Sequence, residues 1–185
     1  MEVQIPEMQV GDAVAFRGAG PLFKILSFLL GLFVPRWRRR KDKPWHLAFA
    51  SKQVPEGWML IEAVQGGVQE LFHSTMELEG KTKAYRFLPE PATQEDIDKF
   101  KKTYLGFPYD AKAYIGTMIL FLLQKVTRYR GRVVDNMHMC WETLSAWARS
   151  KGSPFQPNFE YPMIHKILDK LEGAGRKQIK HKATP

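Results

Sequence analysis

The chain has 185 residues, of which 44% are hydrophobic and 25% charged, a composition typical of one folded domain rather than a disordered chain. Its single cysteine excludes a disulfide framework and any zinc site that needs two thiolates. The longest apolar stretch, 22–34, contains Lys24 and is shorter than the roughly 20 residues of a membrane-spanning helix. Residues 1–12 lack the apolar core of a secretory signal, so we expect a cytoplasmic protein.

The net charge of +9 lies in two segments, and the rest of the chain has 18 basic and 18 acidic residues. One segment, 36–43, has six basic residues and one acid, and the tail after Gly173 has four basic residues and no acid. Both segments are either solvated or in contact with an anionic surface, such as lipid headgroups or nucleic acid. The basic residues of the first segment are Arg36, Arg38, Arg39, Arg40, Lys41 and Lys43.

The first half of the chain predicts strands separated by turns. Apolar residues alternate with smaller or polar ones, and glycine and proline mark the turns between the runs. One turn is predicted at 52–57 and another at Gly66 and Gly67. We predict strands at 13–17, 45–50, 58–64, 68–71 and 83–88.

Helices are predicted mainly in the second half. Thr93 can cap a helix that runs through Tyr104, because Asp96 at its third position completes a capping box. Residues 22–34 form an earlier helix, which is apolar nearly all round and ends at Pro35. Further helices are predicted at 113–130, 137–151 and 161–171.

Strands that precede helices along the chain indicate an α+β fold rather than a doubly wound parallel sheet. We predict a single domain, 1–172, with an apolar and basic insertion at about 21–44 and a flexible basic tail, 173–185. The insertion is either a buried core helix with a solvated loop or a segment that binds a membrane surface.

Cys140 is the candidate nucleophile. With Asn136 as the cap, it lies in or just after the first turn of the predicted helix 137–151, where the helix N-terminus lowers the pKa of a thiol. At helical spacing it shares a face with Leu144 and Trp147, so its sulfur should face the sheet. The alternative is a buried cysteine that packs as a small hydrophobe.

A thiol nucleophile needs a base, and His46 is the best placed of the five histidines. It shares a strand face with Ala48 and Ala50, which leaves space for a helix beside the imidazole. Glu62, an acid on an apolar face of the next strand, could accept a hydrogen bond from the imidazole and orient it. The alternative is a satisfied structural histidine. The other histidines are His73 in a predicted loop, His138 pointing away from the cysteine, His165 on a late helix and His181 in the tail.

Six motifs follow one another along residues 11–150: GDAVAFRG, WHLAFAS, WMLIEAVQGGV, KAYRF, GFPYD and MCWETLSAW. Their order and spacing resemble the circularly permuted branch of the NlpC/P60 papain-like superfamily, and within it the YiiX/YaeF-like group. The resemblance implies a small antiparallel sheet or barrel packed against helices, one of which carries the nucleophile. It also implies Cys140 as nucleophile, His46 as base, Glu62 as the residue that orients the base, and Tyr109 in the pocket or beside the oxyanion.

Two tryptophans depart from the family pattern. Trp45 precedes the histidine where the family has a small residue, and Trp141 follows the cysteine where the family usually has serine. Trp141 could narrow the pocket or change the substrate, so we place it with Tyr109 among the substrate-binding residues. Glu142 matches the acid of the family motif.

These observations predict a cysteine hydrolase that cleaves an amide or ester bond through a Cys-His-Glu triad and an acyl-enzyme, with no metal or cofactor. The substrate is a peptide amide, as in cell-wall peptides, or a lipid acyl bond, because permuted relatives of the lecithin-retinol acyltransferase type act on lipids. A lipid substrate would fit a peripheral contact of the basic segment with an anionic membrane. The alternatives are an inactive family member and a non-catalytic basic binding module. Nucleic acid is the less favoured partner, because the body of the chain is neutral and has no motif of a nucleic-acid-binding fold.

Overall fold

The computed structural model describes residues 2–18, 24–25, 27–28, 31–32, 43–88, 90–108, 140–152, 169 and 171–172. These residues include an antiparallel sheet of six strands and three helices with defined bounds, so the predicted α+β class is confirmed. The strands are β1 (Glu2–Val3), β2 (Ala13–Arg17), β3 (Pro44–Val54), β4 (Gly57–Val64), β5 (Gly67–Ser74) and β6 (Thr82–Tyr85). The helices are α1 (Thr75–Lys81), α2 (Gln94–Tyr104) and α3 (Cys140–Ser150), and a single 3-10 turn covers Ile5–Glu7.

The strand order in the sheet is β1-β6-β2-β3-β4-β5. Strands β3, β4 and β5 form a meander whose two connections are turns of two residues, at 55–56 and 65–66. Gly66 and Gly67 have φ of 108° and 112°, which glycine adopts without the clash that a side chain would cause. The predicted turn at this position is therefore confirmed.

The bounds of β3, β5 and β6 differ most from the prediction. A bulge at Ser51 lets β3 continue to Val54 against Trp58 and Met59, so the predicted turn at 52–57 shrinks to two residues. Strand β5 continues to Ser74 instead of ending at 71, because it pairs with β4 along its whole length. Strand β6 begins one residue earlier than predicted and ends at Tyr85.

Strand β1 and helix α1 were not predicted. The hydroxyl of Ser74 caps α1 by accepting a hydrogen bond from the backbone N–H of Glu77 at 3.2 Å. The predicted capping box of α2 is confirmed, because Thr93 and Asp96 exchange side-chain and backbone hydrogen bonds. The predicted helix 113–130 lies outside the described residues.

The two faces of the sheet have different coverings. The face that carries Leu47, Phe49 and Ile61, which we call the helix face, packs against apolar residues of α2 and α3. The opposite face carries Ala48 and Leu60, and we call it the histidine face because His46 alternates onto it. Among the described residues, Ile5, Met8 and Leu78 of α1 pack against its apolar side chains.

Candidate active site

His46 and Glu62 meet on the histidine face, as the strand pattern predicted. Strands β3 and β4 are antiparallel neighbours, and Ala48 lies directly opposite Glu62. This register brings Glu62 within reach of the histidine two residues before Ala48, and His46 Nε2 is hydrogen-bonded to Glu62 Oε2. The Glu62 side chain is 4% exposed and that of His46 is 26% exposed, so the acid is enclosed while the imidazole reaches solvent.

The charge state of Glu62 follows from its two imidazole partners. Burial by itself raises the pKa of this carboxyl, but the hydrogen bonds from His46 and His73 outweigh burial and lower its pKa to about 2. Glu62 is therefore a carboxylate at neutral pH, and an ionised carboxylate only accepts hydrogen bonds. Each imidazole must donate through Nε2, so Nδ1 is the nitrogen with which His46 can exchange a proton.

The predicted loop position of His73 is wrong. His73 lies in β5 opposite Trp58, and its Nε2 is 2.8 Å from Glu62 Oε1. In the register, Glu62 pairs with Gln69, which lies four residues before His73. The contact between Glu62 and His73 therefore needs a sheet that curves towards this face, with the two side chains spanning the remaining distance. The sequence did contain a signal for this position. Gln69, Leu71 and His73 are alternate residues on one strand face, and this pattern continues past the predicted end of the strand.

Phe16 of β2 packs against both imidazoles. It lies opposite His46 in the β2–β3 register, and its ring centroid is 5.5 Å from that of His46 and 5.2 Å from that of His73. The aromatic ring limits the rotation of both histidines and shields their hydrogen bonds to Glu62 from water. The histidine face thus carries a fixed group of two imidazoles, one carboxylate and one phenyl ring.

The sequence left space for a helix beside His46, over Ala48 and Ala50, and helix α1 reaches this face through Leu78, which packs in one apolar cluster with both alanines. Helix α3 covers the helix face, where Trp147 stacks on Phe49 with ring centroids 4.8 Å apart. The large side chains of that face offer α3 more apolar contact area than two alanines do. On the histidine face, residues of the N-terminal segment and α1 occupy the space above the alanines.

The remaining predicted site residues are only partly described. Cys140 is the first described residue of α3, and the side chains of Cys140 and Trp141 lie outside the described residues. Tyr109 and the predicted cap Asn136 also lie outside them. The meeting of the thiol with His46 and the roles of these residues therefore stay predictions.

The GD pair of the first motif has a structural role. Buried Asp12 accepts hydrogen bonds from the backbone N–H of Gln9 at 2.9 Å and from Arg86 Nη2 at 3.0 Å. Gly11 has φ of 92°, and a Cβ there would lie 2.8 Å from Leu88 Cδ1. The indole of Trp147 donates to the Gly11 carbonyl at 3.3 Å, so this motif anchors α3 to the sheet.

Several apolar side chains among the described residues of the insertion are exposed to solvent. The described positions between 24 and 32 are helical, as predicted for 22–34. Ile25, Phe28 and Leu32 are 58 to 66% exposed, and their spacing of three and four residues places them on one side of the helix. Ser27 on another side is buried. Of the basic segment 36–43 only Lys43 belongs to the described residues.

Among the described residues, no group of three or more histidine, cysteine and acidic side chains has the arrangement of a metal site. In the same part of the chain, every helix is too short or too polar to cross a membrane. No model of a known protein family matches the chain, and no curated protein matches its sequence.

Proposed function

We propose that this protein is a cysteine hydrolase of amide or ester bonds with a permuted papain-like (NlpC/P60) fold, in which Cys140 is the nucleophile, His46 the base and Glu62 the residue that orients the base. The observation that carries the proposal is the buried Glu62 carboxylate on Nε2 of a partly exposed imidazole. Such a pair fixes one tautomer and stabilises the imidazolium that forms when the histidine takes a proton. The order of the six motifs supports the same assignment.

In the proposed reaction, Nδ1 of His46 takes the proton of the Cys140 thiol, and the thiolate attacks the carbonyl carbon of the substrate. The carbonyl electron pair moves onto oxygen, where the backbone N–H groups at the start of α3 can stabilise it. The tetrahedral intermediate collapses to an acyl-thioester as His46 protonates the leaving amine or alcohol. Water, deprotonated by His46, then releases the acid and restores the thiol.

The position of α3 sets a geometric condition on this mechanism. The helix packs on the helix face, whereas the imidazole of His46 lies on the histidine face. His46 is the third residue of β3, so a sulfur at the start of α3 has to reach it around the end of that strand. A Cys140 Sγ–His46 Nδ1 separation of about 4 Å or less in an experimental structure would satisfy the condition. A separation well beyond about 7 Å would contradict the triad.

Selective alkylation tests the proposal directly, because Cys140 is the only cysteine in the chain. The rate of iodoacetamide modification, followed by intact mass against pH, should show a transition below the free-thiol value of about 8.5. The variant His46→Gln should move that transition upward, and His181→Gln in the tail is the matched control. A transition near the free-thiol value that ignores His46→Gln would identify Cys140 as a structural residue.

Hydrolysis of activated esters and peptide amides is the second readout. Cys140→Ala should abolish it, and the wild-type enzyme should form an acylated species that intact mass detects at Cys140. Hydrolysis that survives Cys140→Ala would contradict the proposal. Complete lack of activity with an unperturbed thiol would favour the inactive relative or the non-catalytic module.

A lipid acyl substrate is a second candidate, favoured by the exposed apolar side chains of the insertion. Ile25, Phe28 and Leu32 form an apolar stripe, and the chain continues into the basic segment 36–43. An apolar stripe followed by clustered positive charge suits the interface of an anionic membrane, at about 1 kcal/mol for each basic residue near the surface. On this proposal the protein binds membranes peripherally, and its cytoplasmic location stays a prediction.

Co-sedimentation with vesicles of phosphatidylserine and phosphatidylcholine separates the two substrate classes. Binding should weaken as salt shortens the Debye length below about 10 Å, and Phe28→Gln should weaken it further. Phe72→Gln is the matched control, because Phe72 is also an exposed phenylalanine but lies on β5. Equal loss in both variants, or no binding at low salt, would favour a soluble peptide amide.

A further inference from the structure

Glu62 accepts a hydrogen bond on each oxygen, from His46 on Oε2 and from His73 on Oε1. The proposed mechanism uses only the first imidazole. We propose that His73 is a positioning residue, which holds Glu62 in the orientation that His46 requires and shares its negative charge. The inference rests on the proposed function for its catalytic meaning, but the coupling between the two histidines can be measured without any substrate.

The positioning role follows from burial. Because Glu62 is almost fully enclosed, water cannot readily replace a donor that it loses. Among the described residues, His73 is the only side chain that donates to Oε1. Without it, the carboxylate could rotate and present either oxygen to His46. With it, the carboxylate plane and the His46 ring are held in one arrangement, further restricted by Phe16.

The charge-sharing role follows from the same contacts. A carboxylate that accepts from two imidazoles attracts each of their protons less strongly than a carboxylate with one partner. Removing His73 therefore concentrates the negative charge of Glu62 on His46 and makes the His46 imidazolium harder to deprotonate. This direction holds for neutral and for cationic His73, because both forms donate through Nε2.

Four elements bring groups to His73. Glu62 of β4 faces Nε2, Glu77 of α1 lies with Oε2 3.6 Å from Nδ1, and Phe16 of β2 packs on the ring. His46 of β3 is the other partner of Glu62, and Lys81 of α1 pairs with Glu77 at 3.3 Å. Imidazoles and carboxylates thus alternate from His46 through Glu62 and His73 to the half-exposed Glu77.

Long-range ¹H–¹⁵N correlation spectra of the full chain test the inference, with His46→Gln used for assignment. At pH 7 in the wild type, Nε2 of both His46 and His73 should carry a proton. His73→Leu should raise the titration midpoint of His46 by about half to one pH unit. His73→Gln, whose amide can still donate to Glu62, should raise it by less, and Glu77→Gln should change it least.

An unchanged His46 midpoint in folded His73→Leu overturns the inference. If that variant does not fold, the wild-type spectrum decides, because an unprotonated His73 Nε2 at pH 7 also overturns it. In His73→Leu, the acid limb of the pH profile of kcat/KM should move together with the titration midpoint of His46. A merely structural role of His73 would lower the activity without moving that limb. A shifted midpoint in a protein that hydrolyses nothing would retain the coupling and reject the proposed function.

Discussion

The helix face and the histidine face are stabilised by different interactions. On the helix face, Phe49, Phe100 and Trp147 pack ring against ring, with two edge-to-face contacts and one parallel stack. On the histidine face, a buried carboxylate replaces part of the apolar contact and depends on two imidazoles for its hydrogen bonds. Apolar residues of similar volume would fill that space without the cost of burying a charge. The helix face therefore contributes packing stability, whereas the histidine face carries a cost in stability that the proposed catalytic role would explain.

The sharpest test of this comparison is to remove the base from the histidine face. His46→Gln should lower kcat/KM by about 10²–10⁴-fold, the usual contribution of a general base, because in the proposed mechanism His46 moves the thiol proton. Thermal unfolding of the same variant should change much less than the rate, because the glutamine amide can still donate a hydrogen bond to the buried Glu62 carboxylate. A variant that keeps its rate would place the base elsewhere.

The corresponding test on the helix face is Trp147→Ala. This change should reduce the free energy of unfolding by about 3–5 kcal/mol, because it removes the stack on Phe49 and leaves a cavity. Chemical denaturation measures the loss, and Met76→Ala, at an exposed position, is the control within about 0.5 kcal/mol. A loss below about 1 kcal/mol would show that α3 does not depend on this contact.

The acid dependence of stability separates the faces further. The folded pKa of Glu62 lies below its ordinary value of 4.5, at about 2. Its stabilisation is therefore fully present above pH 4.5 and is lost as the pH falls towards 2, by on the order of 3 kcal/mol in total. The difference in unfolding free energy between wild type and Glu62→Gln should shrink across that window.

Glu79→Gln, at an exposed glutamate, is the control for this titration. Asp96 also has a lowered pKa, caused by its hydrogen bonds to Lys151 and Thr93, but it contributes equally to the wild type and to both variants. A constant gap between wild type and Glu62→Gln from pH 6 to pH 2 would mean that the two imidazoles do not stabilise the Glu62 carboxylate.

The smallest expected effect lies at the edge of the helix face. Thr93→Ala removes one half of the capping box of α2 and should cost about 1 kcal/mol of unfolding free energy. The pH profile of hydrolysis should be unchanged, because the buried residues of α2 pack on the helix face. A shifted profile would show that the two faces are coupled.

Much of the local structure could be predicted from the residues alone. The turn at Gly66 and Gly67 and the capping box of Thr93 depend on groups a few residues apart. A short stretch of sequence therefore contains all the residues needed to predict each of them. The contact between His46 and Glu62 could be predicted for a similar reason. Each residue alternates onto one face of its strand, and a short hairpin makes the two strands neighbours.

The length of β5, and with it the position of His73, could not be predicted in this way. The alternation of Gln69, Leu71 and His73 permits a longer strand, but the pairing with β4 along the whole length decides that β5 continues to Ser74. The curvature of the sheet then brings His73 to a glutamate that is not opposite to it in the register. Curvature is a property of the paired strands together, so no local pattern contains it.

Alternation, capping and short turns act over a few residues, so the residues alone predict the α+β class, the capped helix α2 and the contact of His46 with Glu62. Long-range packing places α3 over Phe49 instead of the alanines beside His46, and it brings His73 to the second oxygen of the Glu62 carboxylate. The two faces of the sheet compete for the packing of a helix. A helix packs where the buried apolar area is greatest, and that area exists only after all the strands have assembled.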